Sequence, residues 1–167
     1  MEVWVENGVS PEGVDRSIKI SDGCILDSGK NIGIQVLIDS KEGQARARSL
    51  AGSIDWILLE FQDWTMIPIE NIVASCDGGP TKVAARISSP EQAQGAAFAL
   101  DIGVDAILAT GECLDSALIA KMQRQESSIP TDDIVREPFT AALLTVTDVK
   151  EGGVGDRVCV DFTSYLE

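Results

Sequence analysis

Thr81-Lys82-Val83-Ala84-Ala85-Arg86-Ile87-Ser88-Ser89-Pro90-Glu91-Gln92 decides the fold class, because it runs a strand straight into the start of a helix. Thr81 to Ile87 reads as the strand. Ser89 suits an N-cap, Pro90 suits the first helical position, where its missing N–H would have been unpaired anyway, and Gln92 completes a capping box. Ala93, Ala96, Ala97 and Leu100 then recur on one helical face. Gly103 stands where a left-handed residue would end the helix, and Val104 to Ala109 is the next strand.

An earlier copy has the same rhythm. Gly33 to Ile38 is a strand, Asp39 with Glu42 is a capping box, a helix spans Lys41 to Ala51, and Asp55 to Phe61 is the following strand. Strands joined through a helix are parallel, with right-handed crossovers. Val36-Leu37-Ile38 and Ile57-Leu58-Leu59 are almost continuously apolar, as expected of strands covered on both faces. The expected fold is therefore α/β, a mostly parallel sheet of βαβ units. A full eight-unit barrel takes about 250 residues. This chain has 167, so an open sheet or an incomplete TIM-like barrel is expected.

The chain reads as a single domain in three stretches. Residues 1–30 are an irregular β-rich start, with short strands at Val3-Trp4-Val5, Ser17 to Ile20 and Cys24 to Leu26. Residues 31–128 are the βαβ core, closing with a helix from Leu114 to Ser127. A polar loop from Gln125 to Pro138 leads to residues 139–167, where Ala141 to Val149 and Arg157 to Phe162 alternate as a carboxyl-terminal β-ribbon. Parallel sheets and barrels bind ligands at the carboxyl ends of their strands. Here those ends hold Asp39, Glu60 to Trp64, Arg86 and Thr110 to Glu112.

Composition removes several function classes. Asp and Glu number 27 against 13 Lys and Arg, a formal charge of −14 that repels a phosphate backbone and argues against nucleic acid as a partner. Histidine is absent, so no His-based triad or zinc site can form within the chain, and acid–base work falls to carboxylates, Lys, Tyr or Cys. Cys24, Cys76, Cys113 and Cys159 lack a Cys-x-x-Cys pair and read as reduced, buried or incidental thiols. No apolar run is long enough to span a membrane, and Met1 to Glu6 lacks a secretory signal pattern, so the expected address is cytoplasmic.

The densest chemical candidate is Glu60-Phe61-Gln62-Asp63-Trp64, just after a buried-looking strand. Carboxylates held there beside an aromatic can act as base or acid, although solvated carboxylates, with Asp63 capping the helical stretch ahead of Glu70-Asn71, fit the same spacing. Lys82 begins its strand and belongs at the amino end, away from the ligand face. Arg86 lies at the ligand end, where it can pair bidentately with a carboxylate or reach solvent. Gly155-Asp156-Arg157 reads as a turn with a local ion pair. Neither a Gly-x-Gly-x-x-Gly fingerprint before a helix nor a P-loop is present.

Two longer blocks narrow the choice. Asp63-Trp64-Thr65-Met66-Ile67-Pro68-Ile69-Glu70-Asn71-Ile72-Val73-Ala74 resembles the Asp-Trp-x-x-Ile-Pro-Leu-Glu-Asn-Leu-Ile-Ala block of the 3-dehydroquinate synthase II family. Gly155-Asp156-Arg157-Val158-Cys159-Val160-Asp161 is similar to that family's Gly-Asp-Arg-Val-Cys-Val-Asp block. Lys82 to Ile87, Gly103 to Leu108 and Thr145-Val146-Thr147 follow in the family's order, so the resemblance covers about residues 33 to 161. At Arg86 the family more often has a small residue. Family chains are longer and continue differently after the Val-Asp pair, so the chain is expected to be an amino-terminal portion.

The resemblance implies an NAD-dependent oxidative deamination of 2-amino-3,7-dideoxy-D-threo-hept-6-ulosonate, an amino keto sugar acid, followed by aldol closure to 3-dehydroquinate in aromatic amino-acid biosynthesis. A related branch makes an aminohydroxybenzoate, where a divalent metal can take part. A non-catalytic remnant that binds a metabolite or a partner is the contrasting expectation. By the same resemblance Glu60, Asp63 and Glu70 are catalytic acid–base candidates. Trp64, Asn71, Asp156, Arg157 and Asp161 are candidates for substrate or cofactor contacts. The implied partners are a separate carboxyl-terminal half or further copies of the chain.

Overall fold

The computed structural model describes residues 1–8, 11–62, 64 and 66–127. Among them are seven strands: β1 (Glu2–Glu6), β2 (Arg16–Ser21), β3 (Cys24–Asp27), β4 (Lys30–Ile38), β5 (Trp56–Phe61), β6 (Lys82–Arg86) and β7 (Ala106–Leu108). Four helices, α1 (Lys41–Ser49), α2 (Met66–Cys76), α3 (Pro90–Ala97) and α4 (Leu114–Ser127), follow β4, β5, β6 and β7 in turn. The expected α/β class and its parallel βαβ units are present. The expected ribbon over 139–167 lies outside the described residues.

The sheet closes, which decides against the open-sheet alternative. β1 pairs in parallel with β2 on one side and with β7 on the other, through Glu2 opposite Ala106 and Trp4 opposite Leu108. β4, β5, β6 and β7 continue in parallel, and only β3 runs against its neighbours β2 and β4. The closing strands come from the β-rich start, whose short alternating runs give no hint of the partner that β1 finds at the far edge.

Period-two alternation divides the wall into an inner and an outer layer. Trp4, Ile18, Ile25, Trp56, Leu58 and Leu108 fill the barrel interior. Trp4 and Trp56 meet edge to face with centroids 4.5 Å apart, a geometry worth about 0.5–1.5 kcal/mol beyond burial. Trp56 fits because Gly33 stands opposite it; a Cβ at Gly33 would overlap the Trp56 carbonyl oxygen and lie 2.7 Å from Trp56 Cβ. The outer layer packs Val36, Ile57, Leu59, Val83 and Ile107 beneath the helices, with Ile69, Ile72 and Val73 from α2 and three alanines from α3.

Three local expectations are corrected. Ser40, not Asp39, caps α1: its backbone is extended and its side chain accepts from Gly43 N–H at 3.2 Å. Leu37 is not covered on both faces but is 48% exposed, because β4 ends at the barrel rim. Leu100 does not extend the buried face of α3. That helix stops at Ala97, and a 3₁₀ turn over Ala99–Asp101 follows, leaving Leu100 at φ 54 and exposed. The early stop lets Gly103, at φ 67, pass so close to the Ala97 carbonyl that a Cβ there would overlap it. At the other end of α3, Gln92 Oε1 accepts from Ser88 N–H at 2.7 Å and Ser89 N–H at 3.3 Å, as the capping-box sequence predicts.

Candidate functional site

Alternation carries the interior pattern of each strand to its rim. β5 points Trp56, Leu58 and then Glu60 inward, β6 points Lys82, Ala84 and Arg86, and β1 points Glu2, Trp4 and Glu6. On β4, Gln35 is in register with interior Leu58, and Leu37 with Glu60, so both share the inner side near the mouth. The carboxyl mouth of the barrel therefore gathers Glu6, Gln35, Glu60 and Arg86 from four strands.

Contacts tie these four together. Arg86 Nη1 donates to Glu6 Oε2 at 2.8 Å, and Arg86 Nε lies 3.8 Å from Glu60 Oε2. Gln35 Nε2 donates to the same Glu60 oxygen. The Arg86 and Glu6 side chains are only 21% and 23% exposed, whereas Glu60 is 37% exposed and is the acid more open to an entering ligand. Arg86 Nε is buried and makes no hydrogen bond. Two carboxylates face one guanidinium, which leaves the group with one negative charge in excess. Such a mouth can hold a cation through Glu60 or move a proton at a carboxylate.

The other sequence candidates fall elsewhere. Glu70 and Asn71 ride half-buried on α2, which packs against the outer wall through Ile69, Ile72 and Val73. Asn71 Nδ2 is buried with no hydrogen-bond partner. The Trp64 ring packs edge to face on Phe61 at 5.0 Å against the outer layer. Asp63, Asp156, Arg157 and Asp161 lie outside the described residues. Glu6 and Gln35 were not singled out from the sequence. The signal for Glu6 was the alternation Glu2-Val3-Trp4-Val5-Glu6, which sends both acids to the Trp4 side once the strand is known to be half of a barrel wall.

The amino end of the barrel has its own charge network. Arg16 donates from Nε and Nη2 to Glu2 at 2.7 and 3.2 Å and from Nη1 to Asp27 at 2.9 Å, with its guanidinium 5.8 Å from the rings of both Trp4 and Trp56. Lys82 lies over Trp56 at 5.2 Å, at the end where strand direction predicts it. Asp15 binds Lys121 and accepts from Val3 N–H. Burial pushes the Glu2 carboxyl up, but hydrogen bonds from Arg16 and the Trp4 indole outweigh it and hold Glu2 below its ordinary value. Asp15 behaves likewise, with Lys121 and Val3 N–H overcoming burial. A cavity of about 500 Å³ opens here between Glu2, Asp15, Arg16, Ser17, Asp27 and Ser28. Its principal acids are already satisfied by Arg16 and Lys121, and it lies opposite the ligand face, so the smaller mouth cluster is the better site.

Among the described residues no group of three or more His, Cys, Asp or Glu side chains is placed to hold a metal ion. At the mouth both acids lean on Arg86, a poor donor set for a divalent cation. The described residues also lack a glycine-rich turn before a helix of the kind that cradles a dinucleotide. They do not by themselves fit a metal or NAD. No described helix is long and apolar enough to cross a membrane.

Comparison with known proteins gives the lineage. The family described as 3-dehydroquinate synthase II N-terminal domain matches residues 8–124. The chain belongs to this family. Among similar curated proteins, the 3-dehydroquinate synthase of Methanocaldococcus jannaschii is 33% identical over 141 residues, 83% of this chain and 37% of that protein. That of Methanothrix thermoacetophila is 34% identical over 138 residues, 83% of this chain and 36% of the relative. That of Methanothermobacter thermautotrophicus is 30% identical over 157 residues, 93% of this chain and 40% of the relative. The chain thus spans about two fifths or less of the length of these relatives. No solved structure matches it. As a 3-dehydroquinate synthase II N-terminal domain, the chain places β5 and the α2 block at the centre of the matched region, with Glu60 at the rim between them.

Proposed function

We propose that the chain is the substrate-binding barrel of a 3-dehydroquinate synthase II-type enzyme. In this reading the enzyme carries out NAD-dependent oxidative deamination of 2-amino-3,7-dideoxy-D-threo-hept-6-ulosonate, then aldol cyclisation to 3-dehydroquinate, in aromatic amino-acid biosynthesis. The observation that carries the reading is the family match over residues 8–124, which takes in β2 to β7, together with a carboxylate, Glu60, held inside the mouth where parallel barrels bind ligands.

The chemistry asks for three things from the protein. A base must take a proton from the amine and its carbinolamine, a base must remove the proton that forms the enolate for ring closure, and a cation must hold the substrate carboxylate. Glu60 is the acid–base group of the mouth, held in orientation by Gln35. Asp63 and Glu70 are the further acid–base candidates of the same block. By the same resemblance Arg157 is the candidate carboxylate or cofactor anchor, and Asp156 and Asp161 are candidates for substrate or cofactor contacts. NAD, when bound, would supply the hydride acceptor.

The test follows NADH absorbance and dehydroquinate formation with the amino sugar acid and NAD. It uses the chain alone and the chain grafted in place of the aligned segment of the Methanocaldococcus jannaschii relative. Turnover by the graft, lowered about a hundredfold or more by Glu60→Gln, is expected. A folded graft that makes no NADH while the parent relative does would refute the reading, and an aminohydroxybenzoate product would move it to the related branch.

A further inference from the structure

We infer that the outward stripe of α4, made of Asp115, Ile119, Met122 and Glu126, is the docking surface for the carboxyl-terminal part of the family's chain, the portion that the longer relatives carry after the amino-terminal domain. This surface follows from family membership and from the packing of α4, and it is independent of the proposed reaction.

α4 is amphipathic in an inverted sense. A helix on a barrel wall ordinarily turns its largest apolar side chains to the core. α4 turns small ones inward: Ala117 and Ala120 are fully buried, as is Cys113 just before the helix. On one flank Leu118 lies against Gly13 and Lys121 donates to Asp15 at 2.7 Å. On the other flank Gln94 donates to Gln123 at 2.6 Å, and Arg124 donates to the carbonyls of Ile102 and Val104. These contacts fix the roll of the helix and leave Ile119 and Met122 facing outward, 52% and 60% exposed. They are the two most exposed large apolar side chains among the described residues. Asp115, Ile119, Met122 and Glu126 recur at i, i+4, i+7 and i+11, the spacing of a single stripe. Exposed apolar residues scattered singly are ordinary, whereas two in one stripe, bounded by acids, form a face that a partner can cover.

Position, length and charge name the occupant. The match to the amino-terminal domain ends at residue 124, inside α4, so in this family the chain that follows is tethered to this helix. The matched part is only 36–40% of the relatives' length, which leaves most of a family chain to be placed beyond it. Tethering makes the contact intramolecular, so a small apolar stripe suffices where free partners would need a large one. A second copy fits badly. Parallel pairing of two α4 helices sets each acid against its own counterpart, antiparallel pairing sets Asp115 against Glu126, and each chain has a formal charge of −14. The complementary surface is therefore an apolar patch flanked by Lys or Arg.

Oxidation of Met122 reads the contact directly. The 167-residue chain and its graft in the Methanocaldococcus jannaschii synthase are treated with hydrogen peroxide, and the Met122 sulfoxide is followed by peptide mass spectrometry against free methionine. Met122 is expected to react within about threefold of free methionine in the chain alone, and about tenfold or more slowly in the graft. Ile119→Lys, which leaves Met122 in place, should raise the graft's Met122 rate about fivefold or more by putting an unpaired charge into the contact. The same change should leave the rate and the urea midpoint of the chain alone nearly unaltered. Equal Met122 rates in folded chain and folded graft would overturn the inference. Met122 already slow in the dilute chain would assign the stripe to residues 128–167, and slowing that grows with chain concentration would assign it to a second copy; either result also overturns the inference. Should the graft not fold, lysine at the two aligned positions of the full-length Methanocaldococcus jannaschii synthase decides: a lowered thermal midpoint supports the surface, and an unchanged one overturns it. Slow Met122 oxidation in a graft that makes no NADH would overturn the assigned reaction alone, and turnover with Met122 freely oxidised would overturn the docking surface alone.

Discussion

Replacing Arg16 by Met removes the tie between β1, β2 and β3 at the amino end while keeping the stem that packs near Trp4 and Trp56. Arg16 makes three charge-assisted hydrogen bonds, two to Glu2 and one to Asp27, and the side chains involved are 27–31% exposed. Each such bond is worth about 1.5–3 kcal/mol when fully buried, and surface pairs are worth about 0–1 kcal/mol. Removing one partner of a buried pair costs about 3–5 kcal/mol. Partial exposure places Arg16→Met near the lower end, at about 3 kcal/mol, or a fall in Tm of about 6–12 °C for a chain of this length.

That loss should depend on pH. Glu2 lies below its ordinary value in the folded chain, so its contribution is present above the unfolded value and is lost as pH falls through the folded one. Without Arg16, only the Trp4 indole and Lys82 are left to oppose burial, so the Glu2 carboxylate is less favoured at neutral pH. Once the pH is low enough to protonate Glu2 in both proteins, the difference due to it disappears. Urea unfolding followed by tryptophan fluorescence should thus show a gap of about 3 kcal/mol at pH 7 that narrows markedly between pH ~5 and ~3. A gap under about 1 kcal/mol at pH 7, or one that is the same at both ends of that range, would refute the reasoning.

Other substitutions test particular junctions. Gly33→Ala drives a Cβ into the Trp56 backbone, which no rotamer change relieves, and should cost about 1–3 kcal/mol or more by urea unfolding; Gly23→Ala, at φ 74 with no atom within 4 Å, should cost only about 1–2 kcal/mol of backbone strain. Ser40→Ala removes the α1 cap and should lower stability by about 1 kcal/mol, whereas Asp39→Ala should leave the helix start nearly unaffected. In a Cys159→Ser background, half-buried Cys24 should react first with a thiol reagent. Cys76 and Cys113, buried and with thiols pushed up by desolvation, should react only as the chain unfolds; equal rates for all three would contradict the packing.

The helix starts were legible where the code is local. Gln92 accepts from the Ser88 and Ser89 N–H groups and Pro90 has no N–H to satisfy, so the start of α3 could be placed to the residue, and Leu114 to Ser127 was placed likewise. Leu100 was misread because a helical period says nothing about when the chain must turn back into the sheet. Half of the candidate site was legible for a similar reason: Glu60 and Arg86 end strands already bounded by helices, while Glu6 and Gln35 gain meaning only from what lies across the barrel.

By itself the sequence determined the α/β class, the direction of the parallel strands, the amino-end place of Lys82 and the family, since each follows from contacts within a few residues or from a block of residues in register. Closure belonged to the tertiary structure. Whether β1 pairs with β7, about a hundred residues away along the chain, depends on the twist and curvature accumulated over every intervening strand. The same closure brings Glu6 to Arg86, 80 residues apart, and turns two unremarkable charged residues into one site.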